Sequence, residues 1–200
     1  MSRVLVINCG SSTIKYRLFD GESTRDNGLV ETTDFDQELR ELLHRLDLTG
    51  LNAIGHRVVH GGTRFATPTL IDDTVLEAVR DLIPLAPLHN PANLAGIEIT
   101  RAVLPDVPQV AVFDTAFHRT LPPEAASYAI DARVAEQFGI QRYGFHGTSH
   151  AYVSRRTAEL LGRRPETLNV ITLHLGNGAS ACAVAGGRSV ATSMGLSPLE

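Results

Sequence analysis

The chain has 200 residues, 43% of them hydrophobic and 20% charged, and its mean hydropathy is near zero. That balance excludes a disordered tail, a collagen-like fibre and a membrane bundle, and it leaves length for one large domain or two small ones. The formal charge is −4, with no long run of one sign, so nothing points to nucleic acid or a membrane surface as partner.

Met1-Ser2-Arg3-Val4 opens the chain without the basic-then-apolar pattern of a signal peptide, and no apolar run approaches the ~18–20 residues that span a bilayer. Cys9 and Cys182 lie far apart and read as reduced thiols, so the expected location is the cytoplasm. Val4-Leu5-Val6-Ile7 is a continuous apolar run, the pattern of a strand buried on both faces. A Gly/Ser turn at 8–13 leads into the alternating stretch 14–18, Asp20-Gly21 closes a second turn, and a third strand around 28–33 completes a meander. Phe35, Leu39, Leu42, Leu43 and Leu46 fall at helical spacing. Residues 53–60 read as a strand ended by Gly61-Gly62. Asp72 or Asp73 caps a helix that Pro84 stops, and Asn90-Pro91 supplies the N-cap and first position of a helix reaching Leu104. A strand at 107–113 ends at Asp114. This part reads β-β-β-α-β-α-α-β, an α/β layer with a mixed five-stranded sheet and not a doubly wound repeat.

After Asp114 come a loop with Pro122-Pro123, a short helix at 131–138 ended by Gly139, and the Gly/His-rich run 143–150. A helix at 149–161 and a strand at 168–175 follow. The segment 170–187 then repeats strand, Gly/Ser turn, strand, tight turn. An offset of 168 superposes Gly10 on Gly178 and Ser12 on Ser180, the mark of a duplicated domain whose second copy has only begun.

The turn at 8–13 offers backbone N–H groups with the hydroxyls of Ser11, Ser12 and Thr13 in one concavity, suited to phosphate oxygens. Asn8 can place its amide oxygen on a magnesium-bound water; an ordinary hairpin uses the same residue types. Lys15 is the only lysine, which fits either arginine-biased codon usage or a position that needs a compact point charge. His174-Leu175-Gly176-Asn177-Gly178 offers similar donors. It is neither a Rossmann fingerprint nor a Walker A loop, and two such turns suit a nucleotide better than one. Asp114, at a strand's carboxyl end, can cap a loop, bind magnesium through water or orient a substrate. Arg57 interrupts an apolar strand, a costly placement unless an anion pairs with it, either an internal carboxylate or a bound one. His146 and His150 straddle Gly147 with no third ligand, so His146 reads better as a donor to a developing anion, charged or neutral, than as a zinc ligand.

Seven blocks, at 4–15, 55–62, 85–91, 110–118, 142–150, 174–180 and 192–198, resemble the acetate kinase family in order and content. That family belongs to the acetate and sugar kinase/Hsp70/actin superfamily, so the resemblance implies a ribonuclease-H-like (actin-like ATPase) duplicated fold. It divides this chain into a first domain at 1–117, a connecting insert at 118–167 and the start of a second domain at 168–200. The implied reaction is reversible phosphorylation of acetate by ATP, giving acetyl phosphate and ADP. A propionate or short-chain acyl kinase, or a nucleotide-binding fragment without turnover, are the alternatives. By the resemblance, Asn8 contacts magnesium (or manganese), while Lys15, Ser11, Ser12, Thr13, His174, Leu175, Gly176, Asn177 and Gly178 line the nucleotide phosphates. Arg57 binds the acetate carboxylate, Asp114 is the catalytic carboxylate and His146 stabilises the transition state. His89 lies near the substrate, and Val59, Leu88, Phe145 and Pro198 form the methyl pocket. The family is homodimeric at full length, and its further half supplies a second arginine, adenine contacts and a magnesium glutamate. The 200 residues alone are therefore expected to be inactive or nearly so. The stretch before Arg57 is shorter than the family carries.

Overall fold

The apolar run at the start forms β1 (Arg3–Cys9), which pairs antiparallel with β2 (Thr13–Asp20) and parallel with β4 (Leu51–Val58). This computed structural model describes residues 2–198. The chain divides into two compact units, Met1–His60 with Pro68–Val112 and Gly61–Thr67 with Phe113–Glu200.

In the first unit the sheet order is β3-β2-β1-β4-β6-β5, with β3 at Ser23–Glu31, β5 at Thr69–Leu70 and β6 at Gln109–Phe113. β3 begins five residues ahead of the expected 28, because its polar first half lies exposed at the sheet edge and is held by ladder hydrogen bonds, not burial. β5 is a sixth strand beyond the five expected; two residues carry no periodicity to read.

α1 (Phe35–Arg45) is capped by Asp34, whose carboxylate accepts from Gln37 N, and it buries Leu39, Leu42 and Leu43. α2 (Asp73–Asp81) is capped by Asp72, which accepts from Val75 N at 2.8 Å. Pro84 sits in a 3₁₀ turn after α2, so the α-helix stops by tightening. α3 (Asn90–Val103) starts after His89, not at an Asn90 cap, because the Asn90 side chain is engaged elsewhere. Leu5, Ile7, Ile14, Leu18 and Ile54 of the sheet form one core with Leu39, Leu42 and Leu43 of α1 and Ile99 of α3. Cys9 belongs to that core, and burial pushes its thiol up to about 12, so it is an inert apolar filler.

In the second unit, α4 (Pro123–Ala126) and α5 (Ala132–Phe138) precede α6 (Gly147–Leu160), and Gly139 ends α5 in the left-handed conformation. β7 (Asn169–Leu175), β8 (Ala179–Ala185) and β9 (Arg188–Thr192) form an antiparallel meander. β1 and β7 are both seven residues long and start at 3 and 169, an offset of 166 and not 168. Gly10 thus corresponds to Gly176. The β7–β8 turn is one residue shorter than the β1–β2 turn, since Leu175 pairs with Ala179 where Cys9 pairs with Ile14. Among the described residues no helix is long and apolar enough to cross a membrane.

Candidate functional site

The end of β1 positions the first group of predicted residues. Asn8 pairs with Lys15 across the β1–β2 ladder, and the turn between them is closed by a Gly10 N to Thr13 O hydrogen bond of 2.7 Å. Ser11, Ser12 and Lys15 are exposed and Thr13 is half-buried, so their donors face outward. Arg57 lies on the half-buried face of β4, while His56 and Val58 point to the fully buried face. Its Nη1 donates to Asn8 Oδ1 at 3.2 Å. The structure therefore joins Asn8, Lys15 and Arg57 at one sheet end, with the guanidinium at its rim and not in the interior.

Two asparagines on α3 hold that end in place. Asn93 Oδ1 accepts from Val59 N at 2.9 Å, and its Nδ2 donates to Cys9 O at 2.7 Å. Asn90 accepts from His60 N and donates to His60 O, both at 3.1 Å. These buried amides complete backbone groups where β4 runs out of strand partners. His56 Nε2 lies 2.8 Å from Gln109 Oε1, an oxygen that can only accept, and burial lowers the ring's pKa to about 4. A neutral ring therefore donates to that oxygen. Val59 is buried, whereas Leu88 is 75% exposed and His89 is exposed.

The second unit gathers a different set. Asp114 follows β6 and is buried; its backbone oxygen accepts from Gly147 N at 2.8 Å and its Oδ1 accepts from Thr148 Oγ1 at 3.3 Å. A Cβ at position 147 would run into that same Asp114 carbonyl and into Phe117, so only glycine lets α6 begin against that backbone oxygen. His146, the residue before α6, holds φ 57, a left-handed conformation that turns its ring toward β7 and β8. The ring stacks on His174 at 4.0 Å between centroids, and its Nδ1 lies 2.9 Å from Ser180 Oγ. A Cβ at Gly178 would come within 3.2 Å of His146 Cε1, so the glycine turn leaves the space that ring occupies.

Asp114, His146, His174 and Gly178 are thus assembled within one unit. Leu175, Gly176 and Asn177 are exposed on the same turn. Phe145 is buried, with its carbonyl accepting from His118 Nε2 at 2.9 Å, and Pro198 is half-buried. Sequence reasoning missed the groups around these residues: Thr148 on Asp114, Ser149 on His174 Nδ1 at 2.9 Å, Ser180 on His146, and the buried His118 and His150. The only sequence signal was the density of His, Ser and Thr in 143–150. Burial lowers the pKa of His118, and lowers that of His150 to about 4 with help from the neighbouring His118, His146 and His174.

A mixed sheet with an antiparallel meander, a parallel β1–β4 pair and a second meander begun after a helical segment is the ribonuclease-H-like, actin-like ATPase architecture. The chain aligns with the crystal structure of acetate kinase from Porphyromonas gingivalis at TM-score 0.94 and 37% identity, over 100% of this chain and 59% of that one. A propionate kinase from Francisella tularensis aligns at TM-score 0.92 and 42% identity, again over 100% and 59%. Acetate kinase from Streptomyces griseus subsp. griseus is 55% identical over 234 residues, covering 99% of this chain and 57% of that protein. The acetokinase family profile matches residues 35–200. The chain belongs to the acetokinase family, and it spans little more than half the length of the curated relatives it matches.

Proposed function

We propose that this chain carries the acyl-binding and phosphate-binding half of an acetate kinase, a transferase that moves the γ-phosphoryl group of ATP to acetate. The observation that carries this reading is the second-unit constellation: a buried Asp114 at the start of α6, with His146, the residue just before that start, bent into a left-handed turn beside the Gly176–Gly178 loop. The family membership supports it.

Acetate is already a competent nucleophile as a carboxylate, so the task is to bring two anions together and spread charge in a loose transition state. Arg57 would hold the acetate carboxylate as a planar fork, its direction set by the bond to Asn8. The exposed hydroxyls and Lys15 of the first turn, with the second turn at 174–178, would donate to nucleotide phosphates. His146 would donate to the transferring group, and Asp114, fixed by Thr148 and the α6 start, would orient the reacting groups. Magnesium fits this donor set only through water. Asn8 Oδ1 already accepts from a guanidinium, and among the described residues no cluster of three His, Cys, Asp or Glu forms a cage. When bound, the ion would neutralise charge on the nucleotide phosphates. The family resemblance supports ATP/ADP and acetate as ligands, a cytoplasmic setting and a homodimer at full length.

A second reading, propionate as the acid, draws on the likeness to the propionate kinase. One methylene is worth about 1–3 kcal/mol in an apolar pocket, so the two differ by kcat/KM ratio and not by presence of activity. The test is a chimera in which this chain replaces the matching segment of the Streptomyces griseus enzyme, assayed by trapping acyl phosphate with hydroxylamine. Acetate should be turned over with a higher kcat/KM than propionate, Arg57→Ala should lose orders of magnitude, and the 200-residue chain alone should give almost none. A folded chimera without acyl phosphate, or Arg57→Ala at parental activity, would overturn the reading.

A further inference from the structure

Two of the four histidines of the second unit, His146 and His150, are joined through Ser180. His150 Nδ1 lies 2.7 Å from Thr172 Oγ1 and its Nε2 lies 2.8 Å from Ser180 Oγ. Ser180 Oγ in turn lies 2.9 Å from His146 Nδ1. Thr172, His150 and Ser180 are all buried, so protein groups and not bulk water decide who donates. At the far end Thr172 Oγ1 reaches the Cys182 carbonyl oxygen at 3.4 Å, and a carbonyl can only accept. That terminus orders the series: Thr172 donates to Cys182, accepts from His150 Nδ1–H, and leaves a lone pair on His150 Nε2. Ser180 donates to that lone pair, and its own oxygen then accepts from His146 Nδ1–H. The reverse order would send every proton toward His146 and leave the Cys182 contact without a donor.

We propose that Thr172, His150 and Ser180 form a directed hydrogen-bond relay that keeps the proton of neutral His146 on Nδ1, which makes them positioning residues for that ring. Two further contacts hold the ring to this role. Stacking on His174 at 4.0 Å limits its rotation, and the Gly178 backbone lies against its Cε1 edge. His150 serves as the middle link because burial keeps it uncharged, able to donate from one nitrogen and accept at the other.

The consequence concerns Nε2 of His146, and its bearing on catalysis rests on the function proposed above. A ring whose Nδ1–H is committed to Ser180 gains its second proton only at Nε2. It therefore donates to a phosphoryl oxygen from Nε2 as an imidazolium, without changing its bond to Ser180. His174 on β7 stacks on that ring, and the titratable groups that act on its relay partner His150 are His118, His146, His174 and Asp114. A charged donor that needs no rearrangement on protonation suits the charge that develops in phosphoryl transfer.

Ring nitrogen NMR on the ¹⁵N-labelled 200-residue chain tests this without any activity, because protonated and bare imidazole nitrogens have well separated shifts. At a pH where His146 is neutral, its Nδ1 should carry the proton, against the Nε2 preference of histidine in water. Thr172→Val touches neither His146 nor Ser180, yet it removes the acceptor for His150 Nδ1–H. His150 should then donate from Nε2, Ser180 should turn toward His146, and the His146 proton should shift to Nε2. Ser180→Ala should also move it to Nε2, and Ser180→Thr should restore Nδ1–H. A neutral wild-type ring protonated at Nε2, or a folded Thr172→Val chain with the proton still on Nδ1, would overturn the relay. Absence of acyl phosphate in the chimera assay would count against the function and leave this result untouched.

Discussion

Asn93 shows how one side chain can hold the ends of β1 and β4 together in the first unit. Its amide bridges Val59 N on the β4 side and Cys9 O at the end of β1, and it is buried. Alanine at this position would leave a backbone donor and a backbone acceptor without partners where water has no access. Each such group costs about 1–3 kcal/mol, so Asn93→Ala should destabilise the fold by about 2–4 kcal/mol, measured by urea unfolding. An unchanged midpoint would mean that the two backbone groups find other partners. Nothing in the sequence marked Asn93, because a bridging amide has no motif: its partners lie 34 and 84 residues away along the chain. Arg57 and Asp114 were legible for the opposite reason. A charge within or at the end of an apolar strand is conspicuous against its own neighbours. Asn90 was legible only as a helix-starting residue type, and its tertiary bond to the His60 backbone overrode the cap.

Elements were read well where periodicity was strong and poorly where register or pairing decided the outcome. Helices α1 and α2 and strand β1 follow from apolar spacing and capping carboxylates. β5 and the polar half of β3 exist only because a neighbour offers a ladder. The link from β3 to α1 is only three residues, 32–34, and the family profile match begins at residue 35. The alignment with the Streptomyces griseus relative runs over 234 residues, so at least 34 positions (234 against 200) have no counterpart in this chain. β7 carries a different consequence. Ile171, Leu173 and Leu175 share one face and are 76%, 58% and 77% exposed, while Thr172 and His174 on the other face meet α6. β7 is also the outer strand of its sheet, with no neighbour among the described residues on the edge that β1 gives to β4. An apolar face on an open strand edge templates association. The 200-residue chain should self-associate with rising concentration in sedimentation velocity, and Leu173→Lys should hold it at monomer mass. Equal behaviour of the two would show that β7 is not the contact.

At the scale of the whole molecule, each unit hides imidazoles that stay neutral in the folded state. His56 and His60 in the first unit and His150 in the second are depressed from an ordinary value near 6.5 to about 4, each chiefly by burial. His118 is lowered for the same reason, partly offset by its bond to the Phe145 carbonyl and by Asp114. The sign follows from proton counting. An unfolded chain takes up these protons near pH 6.5 and the folded chain only near 4, so between those values the unfolded state binds more protons and stability rises with pH. Above pH 6.5 the contribution is complete; it is lost as the pH falls toward 4. At about 1.4 kcal/mol per pKa unit, each of the three represents roughly 3 kcal/mol at most, against the 5–15 kcal/mol that hold a typical domain. Both units should therefore lose stability in the same window, ahead of the pH at which exposed carboxylates titrate. Thermal melts followed by circular dichroism should show Tm falling steadily from pH 7 to pH 4.5. His56→Gln keeps an amide donor for Gln109 while removing the titrating ring, and it should flatten that slope. A Tm independent of pH across this range would mean that the buried rings accept protons in the folded state after all. The pH at which the chain unfolds would then be set by its carboxylates.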